Sequence, residues 1–219
     1  GIDIYHGLSN EITSGLTGKG IKSVVTIHDL AFITFPSMYK PIDRWIYNRK
    51  FLKACRNADV VLSISKSTES DIIKYYGIPS DKIKTIYQPA NPIYYRQLDA
   101  AQAAEIASKY NLPQEYMLYV GSINSRKNLL GIVKAMSMMK PDNRLPLAVI
   151  GSGRGYKQEV MDYLVQNKMA DSVIFLGAKD DLELKALYTR ARLFVYPSFY
   201  EGFGLPVVEA MLCGCPVVS

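Results

Sequence analysis

The stretch LFVYPSFYEGFGLPVVEAMLCGCPVVS, Leu193–Ser219, decides the fold. Leu193–Tyr196 reads as a buried strand, Pro197–Gly204 as a turn, and Leu205–Leu212 as an almost wholly apolar helix with Pro206 near its start, where proline is tolerated. Pro216–Ser219 then begins another strand, which completes a strand–helix–strand unit. The only charged residues here are Glu201 and Glu209, and that isolation makes them candidates for chemistry.

Glu209 is expected to project from the first turns of a helix buried all round. An unpaired buried carboxylate costs several kcal/mol, and this stretch contains no Lys or Arg to pair with it. Ligand hydroxyls fit, because one carboxylate accepts from two vicinal hydroxyls. Glu201 lies in a glycine-bracketed turn at the carboxyl end of a strand, where open α/β sheets bind ligands. Gly202, Phe203, Gly204 and Leu205 follow it, and the two glycines let a diphosphate approach backbone N–H groups at a helix N-terminus. The alternative is that Glu201 caps the helix or is merely solvated, and that Glu209 pairs with a distant base.

Outward from this segment, β-branched runs alternate with stretches of helical period, the pattern of βαβ units and a mostly parallel sheet. Candidate strands are residues 2–5, 23–27, 60–64 and 84–87, then 116–120, 147–150, 173–176, 193–196 and 216–219. Candidate helices span 39–56, 67–76, 127–139, 155–166 and 181–191. The alternation breaks between Gln88 and Gln114, where prolines, tyrosines and one short helix over 99–110 intervene. This places a first α/β domain at residues 1–97, a linker at 98–112 and a second domain at 113–219. The expected fold is two Rossmann-like, doubly wound parallel-sheet domains facing across a cleft. The chain opens at Gly1 close to a strand and stops at Ser219 as another begins, so a fragment with both domains incomplete is expected.

VGSINSRKN, Val120–Asn128, ends a strand and puts Arg126 and Lys127 at an expected helix start. Cations there oppose the helix dipole unless an anion lies between them, and a departing diphosphate is such an anion. An ordinary solvated helix start is the alternative. In the first half, His28-Asp29 follows the strand that ends at Ile27, and His28 either faces a ligand or bonds backbone. Gly151, in Gly-Ser-Gly-Arg-Gly, either lines a nucleotide or makes a turn, since no Lys-Ser or Lys-Thr completes a phosphate loop.

The 219 residues are 48% hydrophobic, enough for a normal core, and carry a formal charge of +6 with basic and acidic residues interspersed. No nucleic-acid motif is present, so nucleic acid is not an expected partner. Nothing approaches the roughly 18 consecutive apolar residues of a membrane span, and the default compartment is the cytoplasm. Arg49, Lys53 and Arg56 share a helical face that either meets anionic lipid or acceptor or is simply solvated. Cys55, Cys213 and Cys215 read as reduced, inert thiols. No Asp-x-Asp occurs, and Asp180-Asp181 looks like a helix cap, so no metal site is assigned and a metal-independent site is expected.

Together these motifs resemble the retaining glycosyltransferases of group 1 (family 4), which have the two-domain GT-B fold. The likeness runs through VGSINSRKN, AVIGSG, the segment from Val173 to Ser219 and, in the first half, TIHDLAF and ADVVLSISKSTESDI. Its most specific element is the Glu201-x7-Glu209 pair. The resemblance implies that Glu201 contacts the transferred sugar, Glu209 the nucleoside ribose, Arg126 and Lys127 the diphosphate, and that His28 orients the donor sugar. It implies hexose transfer, mannose from GDP-mannose first and glucose from UDP-glucose second, to a saccharide or lipid-linked acceptor in polysaccharide biosynthesis. No separate cofactor is implied. A peripheral contact with the inner membrane surface is a further expectation. Many members carry Arg where this chain has Ser122, so Arg126 is expected to supply that charge. A non-catalytic nucleotide-sugar module, a sugar-nucleotide epimerase and a phosphorylase are the alternatives.

Overall fold

Parallel strands in two sheets carry the fold. The computed structural model describes residues 1–13, 15–16 and 20–219. These divide into two units, Gly1–Pro89 with Glu201–Phe203, and Ala90–Tyr200 with Gly204–Ser219.

In the first unit β1 (Ile4–Gly7), β2 (Lys22–Ile27), β3 (Val60–Ser63) and β4 (Ile83–Thr85) lie side by side in chain order, all parallel. The inward residues of β2 are Ser23, Val25 and Ile27, and the two apolar ones join Val61, Ile72 and Ile83 in one core. Helices α1 (Ala31–Thr34), α2 (Pro41–Asn57) and α3 (Lys66–Tyr76) make the connections. Proline opens α2, where its missing N–H costs nothing. The Ser65 hydroxyl accepts the Thr68 N–H at 3.0 Å to start α3, and Gly77, at φ 62°, ends it. The short α1 was not expected. It forms because Asp29 Oδ1 accepts the Ala31 N–H at 3.0 Å and turns the chain locally.

The second unit has α4 (Ala100–Ser108), β5 (Met117–Val120), α5 (Leu129–Ser137), β6 (Leu147–Ile150), α6 (Gly155–Gln166), β7 (Val173–Gly177), α7 (Asp181–Arg190), β8 (Leu193–Val195), α8 (Leu205–Leu212) and β9 (Val217–Val218). The strand order is β7-β6-β5-β8-β9, again all parallel. Every residue of β5 and β6 is buried. Met117 and Tyr119 pack with Leu129, Val133 and Val160, whereas Leu118 and Val120 pack with Leu187, Tyr188 and Phe194. Two-residue alternation therefore feeds two cores, one on each face, as a doubly wound sheet requires. Each fully buried aliphatic or aromatic side chain contributes about 1.5–3 kcal/mol. Residues 98–112, read from sequence as a linker, hold α4, which packs on α7.

Two local expectations need correction. The helix expected over 127–139 is split: Ser125–Lys127 form a separate 3₁₀ turn, Asn128 takes φ 57°, and α5 begins only at Leu129. The Asn124 side chain stabilises that turn by accepting the Lys127 N–H at 3.2 Å. Nor is α8 buried all round. Only Ala210 is fully buried, while Met211 and Leu212 are exposed by 65% and 37%.

Candidate functional site

In the second unit the chain order reverses between β5 and β8: β6 and β7 add on one side, β9 on the other. Such a switch point opens a crevice at the carboxyl ends of the strands. The segments leaving β5 and β8 are joined there. The Phe199 N–H donates to the Arg126 carbonyl at 2.9 Å, and the Ser198 hydroxyl donates to the same oxygen at 3.2 Å. The Arg126 guanidinium in turn donates to the Tyr200 carbonyl at 2.5 Å. Lys127 is buried, with Nζ donating to the Tyr196 hydroxyl at 2.5 Å and standing 4.9 Å from the ring centroid. Arg126 and Lys127 thus do not stand at a helix start balanced only by an anion. Protein partners hold both in place, and a ligand would meet cations already positioned.

Glu209 stands one residue before the buried Ala210 on α8 and is itself half-buried. The Tyr188 hydroxyl donates to its Oε2 at 3.4 Å. Burial pushes the Glu209 carboxyl above the usual glutamate range, with the nearby Asp181 charge adding to it and the Tyr188 bond opposing it. Tyr188 is fully buried, edge-on to Phe194 at 5.2 Å and to Tyr94 at 6.3 Å, so its hydroxyl is held rigidly. Sequence reading missed Tyr188, which nothing distinguishes from an ordinary core tyrosine of α7. Gly204 starts α8 at φ 87°, ahead of Leu205 and Pro206.

The turn Glu201–Phe203 groups with the first unit, where Glu201 is half-buried. A Cβ on Gly202 would fall 2.1 Å from the His28 carbonyl oxygen. Thr68 Oγ1 reaches both that oxygen, at 3.3 Å, and the Gly202 carbonyl, at 3.5 Å. Close packing against His28 therefore requires glycine at 202, independently of the approach of a diphosphate expected from the sequence. Phe203 stacks on Tyr87 with centroids 5.9 Å apart.

The His28 ring is engaged at both nitrogens. Nε2 lies 2.8 Å from the Leu8 carbonyl and Nδ1 lies 3.3 Å from the Gln88 side-chain nitrogen. A carbonyl only accepts and an amide nitrogen only donates, so this network selects the tautomer protonated at Nε2. The backbone-bonding alternative for His28 thus has a geometric basis. Gly151 has its own: at φ 137°, a Cβ there would lie 2.0 Å from the Gly121 carbonyl oxygen, so glycine is needed where the turns after β5 and β6 meet.

Asp180 caps α7 in a capping box with Glu183, as its position suggested. Among the described residues no group of three or more His, Cys, Asp or Glu is placed to hold a metal ion. No helix among them is long and apolar enough to cross a membrane. The thiols are free, and burial pushes Cys55 up to about 12 and Cys213 and Cys215 to about 11.

Two all-parallel α/β sheets, one of them doubly wound with a reversal of strand order between β5 and β8, define the GT-B class of fold. Residues 102–219 match the family described as glycosyl transferases group 1, and residues 1–92 match glycosyltransferase family 4. The chain belongs to the group 1 glycosyl transferases. It is 37% identical over 98% of its length to O-antigen chain mannosyltransferase B of Escherichia coli, covering 56% of that protein. It is 31% identical over 89% of its length to O-antigen chain mannosyltransferase RfbU of Salmonella typhimurium, covering 50%. The chain thus spans about half the length of these two relatives. In fold it is similar to Anabaena HepE in complex with UDP, with a TM-score of 0.75 at 21% identity, over 93% of this chain and 54% of that one. It is likewise similar to sucrose-phosphate synthase of Thermosynechococcus elongatus, with a TM-score of 0.76 at 24% identity, over 98% and 55%.

Proposed function

We propose that this chain carries part of a retaining glycosyltransferase that moves a hexose from a nucleoside diphosphate sugar to a saccharide or lipid-linked acceptor. Mannose from GDP-mannose is the first assignment, favoured by the names of the two relatives above, and glucose from a UDP-sugar the second. The observation that carries the reading is the half-buried Glu209, whose raised carboxyl has Tyr188 as a donor and is suited to bond the vicinal hydroxyls of a ribose.

In this reading residues 113–219 form the donor domain and residues 1–97 belong to the acceptor-side domain. Glu201 contacts the transferred sugar, Gly204 and Leu205 bring backbone N–H groups to the diphosphate, and His28 orients the sugar. Arg126 and Lys127 stabilise the negative charge that gathers on the diphosphate as its bond to the anomeric carbon breaks. The acceptor oxygen bonds that carbon on the same face, and its proton passes to the departing phosphate oxygen. No side chain serves as general base, and no metal is assigned. Transfer of this kind belongs to the cytoplasmic face of surface polysaccharide synthesis, with a peripheral contact to the membrane.

Calorimetric titration with GDP, UDP, GDP-mannose and UDP-glucose tests the reading. One nucleotide is expected to bind, with affinity reduced about tenfold or more in Glu209→Ala. Equal binding by the variant removes Glu209 from the site. Release of an epimerised sugar nucleotide in place of a glycoside overturns the transferase assignment.

A further inference from the structure

A cavity of about 330 Å³ in the first unit is lined by groups that the donor chemistry does not use. Asn10, Glu11 and Asp29 line it together with Tyr39, Tyr47 and Lys50. It is tied directly to His28. Asn10 Oδ1 accepts the His28 backbone N–H at 2.8 Å, and Asp29 is the next residue along the chain.

The rings in its wall are held by one another. Phe32, 4% exposed, meets Tyr39, Tyr47 and Phe51 edge-on with centroids 6.5, 5.8 and 5.2 Å away. A preformed wall of this kind offers an apolar surface without having to be ordered on binding. The charged lining is two carboxylates against one ammonium, with Lys50 paired to Glu11 at 3.1 Å. That balance repels phosphate, so the cavity does not suit a nucleotide. Carboxylates accept from hydroxyls, and aromatic rings pack on the C–H face of a pyranose. The volume falls at the small end of the roughly 300–1,000 Å³ range of ligand pockets, which fits one sugar ring. A neighbouring cavity of about 470 Å³ shares Phe32 but is lined by Arg44, Trp45 and Asn48 with no carboxylate, and lacks this acceptor chemistry.

We propose that the 330 Å³ cavity receives an uncharged hexosyl residue of the acceptor saccharide, with hydroxyls bonded by Asp29 and Glu11 and its apolar face against Tyr47. The proposal rests on the glycosyltransferase reading above and adds to it the position of the acceptor.

Ligand-observed NMR titration of the full-length protein tests it, with the methyl α-glycosides of mannose, glucose and N-acetylglucosamine as probes and GDP and UDP in parallel. The variants are Asp29→Asn, which keeps the oxygen that bonds the Ala31 N–H, and Tyr47→Ala, at a position 39% exposed. One glycoside is expected to bind and to weaken about tenfold or more in both variants, with nucleotide affinity within about twofold of wild type. Unchanged glycoside affinity in both variants, or no glycoside binding up to about 50 mM, overturns the proposal. Glycoside binding that the variants lose, in a protein that binds neither nucleotide, supports the cavity and sinks the donor reading instead.

Discussion

The hydroxyl of Tyr188 donates to the carboxylate of Glu209 at 3.4 Å, across 21 positions of sequence and from α7 to α8. The bond is long, and it only partly offsets the burial that raises the Glu209 carboxyl. A raised carboxyl stabilises the fold fully below the ordinary glutamate value of 4.5 and loses that contribution as pH climbs through the raised value. Glu209→Gln removes the ionisation. The variant is expected to melt at a higher temperature than wild type at pH 7, with the gain shrinking as pH falls through the raised value and largely gone below 4.5. Thermal melts across pH 3.5–8 check this (roughly the window in which a carboxyl titrates), and a gain independent of pH would refute it. The same substitution is expected to weaken nucleotide binding, so stability and affinity should move in opposite directions.

Tyr188→Phe isolates the other partner. It removes the donor while keeping the ring contacts to Phe194 and Tyr94, so the Glu209 carboxyl should rise further. Nucleotide affinity at pH 7 should fall, and the pH at which binding is half-lost on acidification should move upward. An unchanged pH profile of binding would mean that the 3.4 Å contact does not hold the carboxylate.

Lys127→Met tests the lysine after β5. Methionine preserves much of the buried stem but loses the bond to the Tyr196 hydroxyl and the contact with its ring. Charge-assisted hydrogen bonds contribute about 1.5–3 kcal/mol, so a measurable loss of stability to urea is expected. If the ammonium also meets the diphosphate, affinity for GDP or UDP should fall about tenfold while affinity for the free nucleoside is unchanged. Equal losses for nucleotide and nucleoside would point to a purely structural lysine.

Most of the fold was legible because local chemistry and tertiary demand agree. The unbroken apolar runs of β5 and β6 are short and bounded by turn residues, as strands buried on both faces are, and the helix over Gly155–Gln166 was delimited correctly by its flanking turns. Asp180 could be read as a cap from its neighbours alone. What sequence hid was either too local or too distant. The four-residue α1 depends on one Asp29 bond, and the break before α5 depends on Asn128 at φ 57°. Tyr188 beside Glu209, Tyr196 beneath Lys127 and the His28 carbonyl against Gly202 are meetings of far-separated residues that no spacing rule encodes. The sequence singled out these residues without their surroundings: Arg126 and Lys127 have protein partners, and Gly202 packs on the His28 carbonyl.

The thiols offer a separate check on burial. Cys55 is raised to about 12 and Cys213 and Cys215 to about 11, in each case chiefly by burial, so almost none is thiolate at pH 8. Alkylation by iodoacetamide at pH 8 should be slow in the native protein and fast in urea. Of the three, Cys213 should react first because it alone is only partly buried. Rapid native labelling of Cys55 would contradict its placement in the core with Val61 and Ile72.

Gly202 and Gly204, two residues apart, should fail for different reasons when given a methyl group. At 202 the new Cβ would meet the His28 carbonyl oxygen at 2.1 Å, and that oxygen is backbone, which cannot swing aside as a side chain would. Relief requires the turn or the strand end to move, which places the change toward the upper end of the roughly 1–3 kcal/mol typical of overpacking. At 204 no heavy atom lies within 4 Å of the new Cβ, but φ is +87°, a region L-residues avoid at a cost of about 1–2 kcal/mol. Gly202→Ala should therefore lower the urea midpoint more than Gly204→Ala. It should also disturb the His28 ring, whose Leu8 and Gln88 bonds depend on where its backbone sits. Equal destabilisation by the two variants, with the His28 imidazole NMR signals unmoved in Gly202→Ala, would show that the Glu201–Phe203 turn does not pack on His28 as described.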